Sequence, residues 1–369
     1  MKVWTFFLMA LLLPVVFLTF TACSDDNGTN SDDDNPNDTI PVDTIPNDTI
    51  PPDSTTLELV GQYPGLQTTV ENGVAIKDNY MYLCNRWHIL ILDISDPSNP
   101  VQAGRYPEAS DFSSYVTGLD IQGDMLGAFV MNGSRGMLHL MDISDRTVPT
   151  ELSTLELERY NGNMKFSGDY AFICGADRGV FVVDVSDPEN PSLVNTLSLS
   201  GGTGVASIHI DGDYLAASMT SIGVVRLLDI SDPMTLDVAN SFFTSGNPKT
   251  SFIYDDYLLI ANGVFNPPSN AGGFLVYDVN SPIAASFIDS VANTSTISVY
   301  ADNGYAYLTY AQTSGNNDLL RIFSIHDCET PVLLHEESLS YDGTFVISDG
   351  DYVYVATRNS LSVYEFKKF

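Results

Sequence analysis

Residues 90–100 read LILDISDPSNP, a run of β-forming residues followed by a turn with two aspartates, an asparagine and two prolines. The pattern returns along the chain at intervals of 41 to 49 residues. Its seven copies place these residues at the position of the first aspartate: Asp93, Asp142, Asp184, Asp229, Asp278, Ser324 and Glu365. A period of this length is typical of a four-stranded propeller blade. The sequence therefore predicts seven related blades.

A second pattern precedes each copy, a short hairpin signal followed by an apolar strand. The hairpins are rich in Asn, Asp and Gly, which tolerate the positive φ angles that two-residue turns need. In the first unit we predict strands over residues 74–77, 80–85, 88–94 and 101–106. The second and third are nearly continuously apolar, as expected where both faces of a sheet pack on neighbouring blades. After the first 56 residues no helical period appears, which disfavours α/β folds.

The ends of the repeat region predict how the ring closes. The seventh unit has only three predicted strands before Phe369. Residues 59–64 (LVGQYP), upstream of the first unit, nearly match residues 102–107 (QAGRYP), which include the outer strand of the first blade. We predict that the N-terminal segment supplies the missing strand and removes an exposed sheet edge. The expected fold is all-β, a seven-bladed β-propeller of four-stranded antiparallel blades over residues 57–369.

The units resemble LVIVD repeats, a family of bacterial and archaeal cell-surface proteins. The hallmark of that family is an apolar strand followed by Asp-Ile/Val-Ser-Asp-Pro-x-Asn-Pro. Here DISDPSNP and DVSDPENP match fully, two further copies match in part, and the last three match weakly. The resemblance covers residues 57–369 and implies a β-propeller at the cell surface. It implies no particular activity, since the family has no established common one.

The first 23 residues combine a long apolar run with the ending FTAC, residues 20–23. A small residue directly before a cysteine favours a cleaved export signal over a membrane-spanning anchor. The stretch resembles a bacterial lipoprotein signal, which implies that residues 1–22 are removed and that Cys23 is lipidated. Its acyl chains would hold the protein on a membrane. We therefore expect a lipid-anchored protein of the outer membrane or cell surface.

Residues 23–56 change character, with nine aspartates and recurring prolines but almost no apolar bulk. Such a segment buries too little surface to fold, and its prolines favour an extended spacer, so we predict a disordered tether. The repeated Asp-Thr-Ile-Pro unit resembles the O-glycosylation signal of Bacteroidetes-type bacteria. An unmodified soluble spacer is the alternative. The resemblance implies acceptors at Thr39, Thr44, Thr49 and Ser54.

The formal net charge of −32 argues against binding to nucleic acid or to anionic membrane surfaces, because both need a basic footprint. Three cysteines remain besides Cys23, and an odd number does not make a disulfide framework. We interpret Cys84 and Cys174 as small buried residues on strands and assign no role to Cys328. We expect a monomer.

Asp93 and Asp96 could form a carboxylate pair, but they recur with the repeat. A group needed for chemistry occurs once per site, whereas a group needed for folding occurs once per unit. Asp and Ser before Pro satisfy turn N–H groups, so we interpret both aspartates as structural. No metal site, phosphate loop or nucleophile motif is apparent, and we predict no metal and no cofactor. The five histidines lie at no ligand spacing: His88, His139, His209, His326 and His335.

The placement of four arginines is more informative. Each precedes the acidic position of its unit by six or seven residues, in the predicted loop between the second and third strands. In a closed ring they fall on blades seven, one, two and three, a contiguous arc that could bind an anion or carboxylate. Trp87 lies beside them and could stack on a ring. Local pairing with excess acid is the alternative. The four are Arg86, Arg135, Arg178 and Arg358.

Together these patterns predict a surface-tethered interaction module that binds a glycan, peptide or protein through this loop face. An extracellular propeller enzyme, such as a polysaccharide lyase or hydrolase, is the alternative, because loops can assemble a site that no linear motif reveals. Convergent His, Tyr, Arg and acidic groups around a deep pocket would favour the enzyme. A flat surface of arginine and aromatic side chains would favour binding.

Overall fold

The computed structural model describes residues 54–67, 73–107, 115–132, 135–158, 162–175, 179–199, 204–263, 273–279, 285–289, 294–312, 318–339 and 343–369. Within these ranges the chain forms 28 strands, and its only helical segment is a single 3₁₀ turn, Thr220–Ile222. The strands form seven separate four-stranded antiparallel sheets. The predicted seven-bladed propeller is therefore confirmed.

The first strand, β1 (Thr55–Pro64), belongs to the last blade, and blade 1 starts with the second strand. Blade 1 contains β2 (Val74–Lys77), β3 (Tyr80–Asn85), β4 (His88–Asp93) and β5 (Val101–Tyr106). Blade 2 contains β6 (Tyr115–Gln122), β7 (Met125–Asn132), β8 (Arg135–Asp142) and β9 (Thr150–Glu158). Blade 3 contains β10 (Met164–Ser167), β11 (Tyr170–Gly175), β12 (Gly179–Asp184) and β13 (Ser192–Leu197).

The remaining blades follow the same order from inner to outer strand. Blade 4 contains β14 (Ser207–Asp211), β15 (Tyr214–Met219), β16 (Val224–Asp229) and β17 (Asp237–Phe243). Blade 5 contains β18 (Asn247–Tyr254), β19 (Tyr257–Gly263), β20 (Gly273–Asp278) and β21 (Ala285–Asp289). Blade 6 contains β22 (Thr294–Asp302), β23 (Tyr305–Gln312), β24 (Asp318–Ser324) and β25 (Val332–Leu339). Blade 7 contains β26 (Gly343–Ser348), β27 (Tyr352–Thr357) and β28 (Ser360–Lys368), with β1 outside them.

Strand β1 closes the ring, as the sequence predicts. It pairs antiparallel with β28, from Thr55 opposite Lys368 to Pro64 opposite Ser360. The chain ends meet again where Phe369 N donates to Ser54 O at 3.0 Å. The strand begins two residues before Leu57, the predicted start of the propeller. The last blade thus needs both ends of the folded region.

Apolar side chains hold neighbouring blades together. In the described residues, each of the seven interfaces between adjacent blades contains one buried cluster drawn from both partners. The cluster between blades 7 and 1 joins Tyr354 and Leu361 to Met81 and Leu92, all of them fully buried. Burial of this kind is the main favourable term in folding. Its presence at the seventh interface shows that the ring is closed by packing as well as by β1.

The repeated aspartate turns lie on one face of the ring, which we call the turn face. There Asp93 Oδ1 accepts from Ser95 N at 2.9 Å and Asp96 Oδ1 accepts from Ser98 N at 3.1 Å. Ile94 N donates to Asn79 O of the preceding hairpin, so β4 ends at Asp93, one residue before the predicted end. Corresponding bonds recur in blades 2, 3, 4 and 6. The structural interpretation of both aspartates fits these bonds.

Several of these turns also contact the blade before them. Ser153 Oγ of blade 2 donates to Pro188 O in the turn of blade 3, and Asn195 Nδ2 of blade 3 donates to Pro233 O in the turn of blade 4. At the same outer-strand position, blade 1 has Gly104, where an added Cβ would lie 2.2 Å from Thr147 O of blade 2. The outer strand bulges at this point. The turns are therefore joints between blades.

Candidate functional site on the loop face and in the central cavity

The opposite face, which we call the loop face, carries the loops between second and third strands. In blade 1 this loop is Arg86 and Trp87, and it is held by Asn85, which is buried. Asn85 Oδ1 accepts from Gln67 N at 2.6 Å, and its Nδ2 lies 3.1 Å from His88 Nε2. Arg86 has a φ of 58°, in the left-handed region that non-glycine residues seldom adopt. The fixed neighbours hold the arginine in this conformation.

The Arg86 guanidinium lies between two aromatic rings. Its central carbon is 4.2 Å from the centroid of Trp87 and 5.8 Å from that of Tyr115, at the start of blade 2. Tyr115 is 46% exposed, and Arg86 and Trp87 are half-buried. Arg86 Nε is buried and has no hydrogen-bond partner in the described part of the chain. A guanidinium stacked on aromatic rings keeps edge donors available to a ligand, and in Arg86 these are the two terminal nitrogens.

The other arginines differ from Arg86. Arg135 starts β8 and forms an ion pair with Glu156 at 2.7 Å, which is the local pairing that the sequence left open. Arg358 is exposed in the loop between β27 and β28 of blade 7. Arg178 lies outside the described residues. The structure thus places Arg358, Arg86 and Arg135 on three consecutive blades and brings Arg86 and Trp87 into direct contact.

A second group of polar residues lies in the central cavity, where the inner strands of the blades converge. Its volume is about 250 Å³. Lys165 Nζ of blade 3 contacts Asp120 Oδ1 of blade 2 at 2.9 Å, and the second oxygen of Asp120 accepts from Phe166 N at 2.9 Å. Lys165, His209 of blade 4 and Tyr300 of blade 6 line the cavity, and Asp120 lies behind Lys165. Sequence analysis missed this group.

His209 is neutral in this setting. Its Nδ1 accepts a hydrogen bond from Ile253 N of blade 5 at 3.1 Å, which places the single ring proton on Nε2. Burial, with a smaller effect of the nearby Lys165 charge, lowers the pKa of His209 to about 3. The ring of Phe252 packs against it with 3.8 Å between centroids. His209 therefore bridges two inner strands and leaves one neutral N–H donor.

One signal could have revealed the cavity residues. Asp120, Lys165 and His209 stand at the same place in their blades, two residues before the end of the inner strand. Blades 1 and 5 have Ala75 and Phe252 there. An alignment of the inner strands with one another shows polar residues at a position that faces the ring centre.

The remaining predicted residues are as follows. Cys84 and Cys174 are buried on strands, as predicted, and burial raises the pKa of both thiols. Cys328 is buried after β24, and its Sγ lies 3.3 Å from Ile325 O. Ser54 is exposed beside β1. The other tether residues lie outside the described residues: Cys23, Thr39, Thr44 and Thr49.

Two features of the described residues bear on membranes and metals. Among the described residues, no helix has the length and apolar character to cross a membrane. In the same ranges, no three His, Cys, Asp or Glu side chains group closely enough to hold a metal ion.

Comparison with known sequences identifies the repeat. The LVIVD repeat family matches residues 72–107, 158–198 and 346–363, which fall in blades 1, 3 and 7. A protein of Archaeoglobus fulgidus named only as an uncharacterized protein is 31% identical over 132 residues. The match covers 34% of this chain and 20% of that protein, so the chain spans about a fifth of the length of the curated relative it matches.

Three solved structures have a similar fold at low sequence identity. The WD40 β-propeller domain of Doa1 has a TM-score of 0.63 at 12% identity, over 84% of this chain and 97% of that one. The computationally designed Ika8 protein has a TM-score of 0.57 at 13% identity, over 84% and 99%. BamB from Moraxella catarrhalis has a TM-score of 0.54 at 15% identity, over 85% and 98%. The chain is a seven-bladed β-propeller that carries LVIVD repeats.

Proposed function

We propose that the protein is a surface-tethered interaction module whose loop face binds a partner that presents a carboxylate beside a planar ring. The carrying observation is the Arg86 guanidinium between the rings of Trp87 and Tyr115. Arginine recognises carboxylates through two parallel N–H donors, and an adjacent tryptophan offers a flat apolar surface. The partner classes that present both groups include acidic glycans, aromatic peptides and protein surfaces.

The overall charge sets the kind of partner. A formal charge of −32 repels long polyanions, so binding depends on one locally positive site and on stacking. Arg135 contributes less to this site because Glu156 already pairs with it. Fold similarity to the WD40 domain of Doa1 and to BamB supports a propeller used as a scaffold for recognition.

The experiment uses an array of acidic oligosaccharides, neutral oligosaccharides and peptides with adjacent acidic and aromatic residues. We expect Arg86→Ala and Trp87→Ala each to reduce binding of the best ligand about tenfold or more, since a central stacked arginine or tryptophan typically contributes over ~1.4 kcal/mol. Arg135→Ala is the matched control, because it removes an arginine from the same face that is already paired. Equal binding by the wild type and Arg86→Ala would discard the site.

We also propose that Cys23 is the lipidated N-terminus, and that residues 24–53 hold the propeller away from the outer membrane or cell surface. The support is the FTAC ending of the apolar stretch and the acidic, proline-rich composition that follows it. Metabolic labelling with a fatty acid tests this proposal: the wild type should be labelled and Cys23→Ala should not. Surface protease treatment of intact cells then shows whether the propeller is exposed.

Glycosylation of the tether is a separate proposal, supported by the repeated Asp-Thr-Ile-Pro unit. The expected result is an intact mass above that of lipid plus polypeptide. Replacement of the four proposed acceptors should remove the excess. A mass that equals lipid plus polypeptide would support the unmodified spacer. The acceptors to replace are Thr39, Thr44, Thr49 and Ser54.

A second candidate function is an extracellular enzyme that acts on polysaccharide. The convergence of Lys165, Asp120, His209 and Tyr300 at the central cavity favours it. General acid–base catalysis works best with pKa values near the operating pH. Burial lowers the pKa of His209 to about 3 and raises that of Tyr300 to about 12. We therefore favour the binding function over the enzymatic one. Release of reducing or unsaturated sugar ends from a polysaccharide by the protein would favour the enzyme instead.

A further inference from the structure

We propose that the central cavity is a second binding site, which takes one neutral hydroxylated ring of the size of a monosaccharide. It goes beyond the proposed loop-face function, because it involves different residues and a ligand of different charge. Four features of the cavity favour such a ligand: its size, its balanced charge, an unpaired buried amide and an aromatic wall.

Size limits the ligand to one ring. Small-molecule pockets usually measure ~300–1,000 Å³. At about 250 Å³ this cavity lies just below that range. Inner-strand residues of six blades line it, so its walls belong to the rigid centre of the ring. A ring with several hydroxyl groups fits this volume, and a longer saccharide would have to extend out of the cavity.

Charge in the cavity is already balanced. The Lys165 ammonium contacts Asp120 at 2.9 Å, and the other carboxylate oxygen of Asp120 is bound by Phe166 N. His209 carries no charge, because its Nδ1 accepts a hydrogen bond and its pKa is far below neutral. With the cationic group paired, the described lining offers no free charge to an ion. A neutral ligand avoids the large cost of burying an unpaired charge.

Asn163 provides the observation that points to a ligand. It stands directly before β10, is only 3% exposed, and lines the cavity. Neither Nδ2 nor Oδ1 of its amide has a hydrogen-bond partner among the described residues. Buried amides are almost always paired, because an unpaired one destabilises the fold. Both atoms are closed to solvent as placed, so the side chain would turn towards the cavity on binding. Two adjacent ligand hydroxyls could then donate to Oδ1 and accept from Nδ2.

The remaining walls match the two sides of a sugar ring. The Nε2–H of His209 and the hydroxyl of Ser298, a residue 2% exposed, add further hydrogen-bonding groups. Phe252 packs on His209 and meets Tyr300 edge-on with 5.1 Å between ring centroids. Hydroxyl groups can bond to the polar wall while the C–H face of the ring packs on the aromatic wall.

The test uses the full-length protein with glucose, galactose, mannose and N-acetylglucosamine as probes. Saturation-transfer NMR should detect at least one of them, and calorimetry should give its Kd. We expect Asn163→Leu to weaken that Kd about tenfold or more while the melting temperature stays equal or rises, because the leucine removes an unpaired amide. His209→Gln should also weaken binding, since its side-chain oxygen can still accept from Ile253 N but its NH₂ group does not hold the position of the imidazole Nε2–H, and the ring that packs on Phe252 is lost.

Two controls separate this site from other effects. Cys174→Ala changes a buried residue whose N–H binds Asn163 O but which does not line the cavity, and it should leave the Kd unchanged. Arg86→Ala should also leave it unchanged, since that residue belongs to the loop face. The proposal is overturned if none of the four sugars binds at millimolar concentration. It is equally overturned if Asn163→Leu and His209→Gln both bind like the wild type.

Discussion

The two faces of the ring are built on opposite principles. On the turn face the same contact recurs, with an aspartate fixing a turn and the outer strand of the previous blade fixing its carbonyl. On the loop face equivalent positions hold different residues: Arg86 is stacked on aromatic rings, while Arg135 pairs with Glu156. Repetition of a contact on the turn face indicates a role in folding, because each blade has to be joined to its neighbour. Variation on the other face and in the cavity leaves room for function.

The comparison predicts that damage to the turn face and the closure costs stability, and that damage to the loop face does not. Deletion of residues 57–63 should have the largest effect. It removes the pairing with β28 and the side chains of Leu57, Val60 and Tyr63 that pack on the core. We expect a loss above ~5 kcal/mol, a large part of a typical total stability of ~5–15 kcal/mol. Urea unfolding measures it.

The control is deletion of residues 24–53, which should unfold at the same urea concentration as the wild type. If both deletions behave alike, β1 does not close the ring in solution.

Gly104→Ala should have the next largest effect. It should lower the free energy of unfolding by about 1–3 kcal/mol, because the new methyl group would overlap the turn of the next blade. An ideal Cβ lies 2.2 Å from Thr147 O, and Gly61 has the same relation to Pro97 O at 2.1 Å. The control is Gln102→Ala at an exposed neighbouring residue, which should leave the melting temperature unchanged. Unchanged thermal unfolding of Gly104→Ala would mean that this joint is loose.

His209 predicts a pH effect of intermediate size. Folding lowers its pKa. Below about pH 6.5, His209 is therefore protonated in the unfolded chain but stays neutral in the folded protein. Stability from this residue is therefore present at neutral pH and falls as pH drops from ~6.5 towards ~3, by at most about 1.4 kcal/mol per pH unit. Urea unfolding at pH 7.5, 6 and 5, values chosen about the pKa of an unfolded His, should show the slope.

The same series on His209→Gln supplies the comparison, since glutamine does not titrate. The slope between neutral pH and about pH 5 should flatten in this variant. Parallel slopes in the two proteins would show that His209 is accessible to protons in the folded ring.

Asp93→Ala should cost about 1 kcal/mol, the usual contribution of one hydrogen bond. Hydrogen bonds from the side chain and backbone of Ser95 lower the pKa of Asp93. The stabilisation is therefore present above the unfolded pKa of ~3.9 and is lost as pH falls through the lower folded pKa. Thermal unfolding of both proteins at neutral and acidic pH should show the difference shrink in acid. A difference that does not shrink as the pH falls below ~3.9 would require another cause.

Arg86→Ala should change stability least, by no more than ~0.5–1 kcal/mol, the usual contribution of an exposed cation–π contact. Urea unfolding checks this value alongside the binding assay. A larger loss would place Arg86 with the folding residues and contradict the division between the two faces.

Sequence analysis predicted the ring well because its determinants repeat. Seven copies of the Asp93 pattern give the blade number, and the match between residues 59–64 and 102–107 gives the closure. The reason for that match is physical: both segments carry a glycine, Gly61 or Gly104, against which the next turn packs.

The central cavity could not be predicted in the same way. Asp120, Lys165 and His209 lie more than forty residues apart and meet only because three inner strands converge on the axis. Nor does any pattern show that Asn163 lacks a partner, since that depends on the positions of all its neighbours. Lipidation, disorder and glycosylation of the tether stay predictions, because its residues up to 53 lie outside the described residues.

The direction of β1 has a mechanical consequence. The strand starts at Thr55 on the turn face and ends at Pro64, where Gly65 N binds Asn359 O on the loop face. A force between the chain before Thr55 and a partner held near Arg86 would therefore act along the strand. Such a load shears all the β1–β28 hydrogen bonds together instead of peeling them apart singly. If Cys23 is anchored as proposed, the strand that closes the ring is oriented to resist that pull.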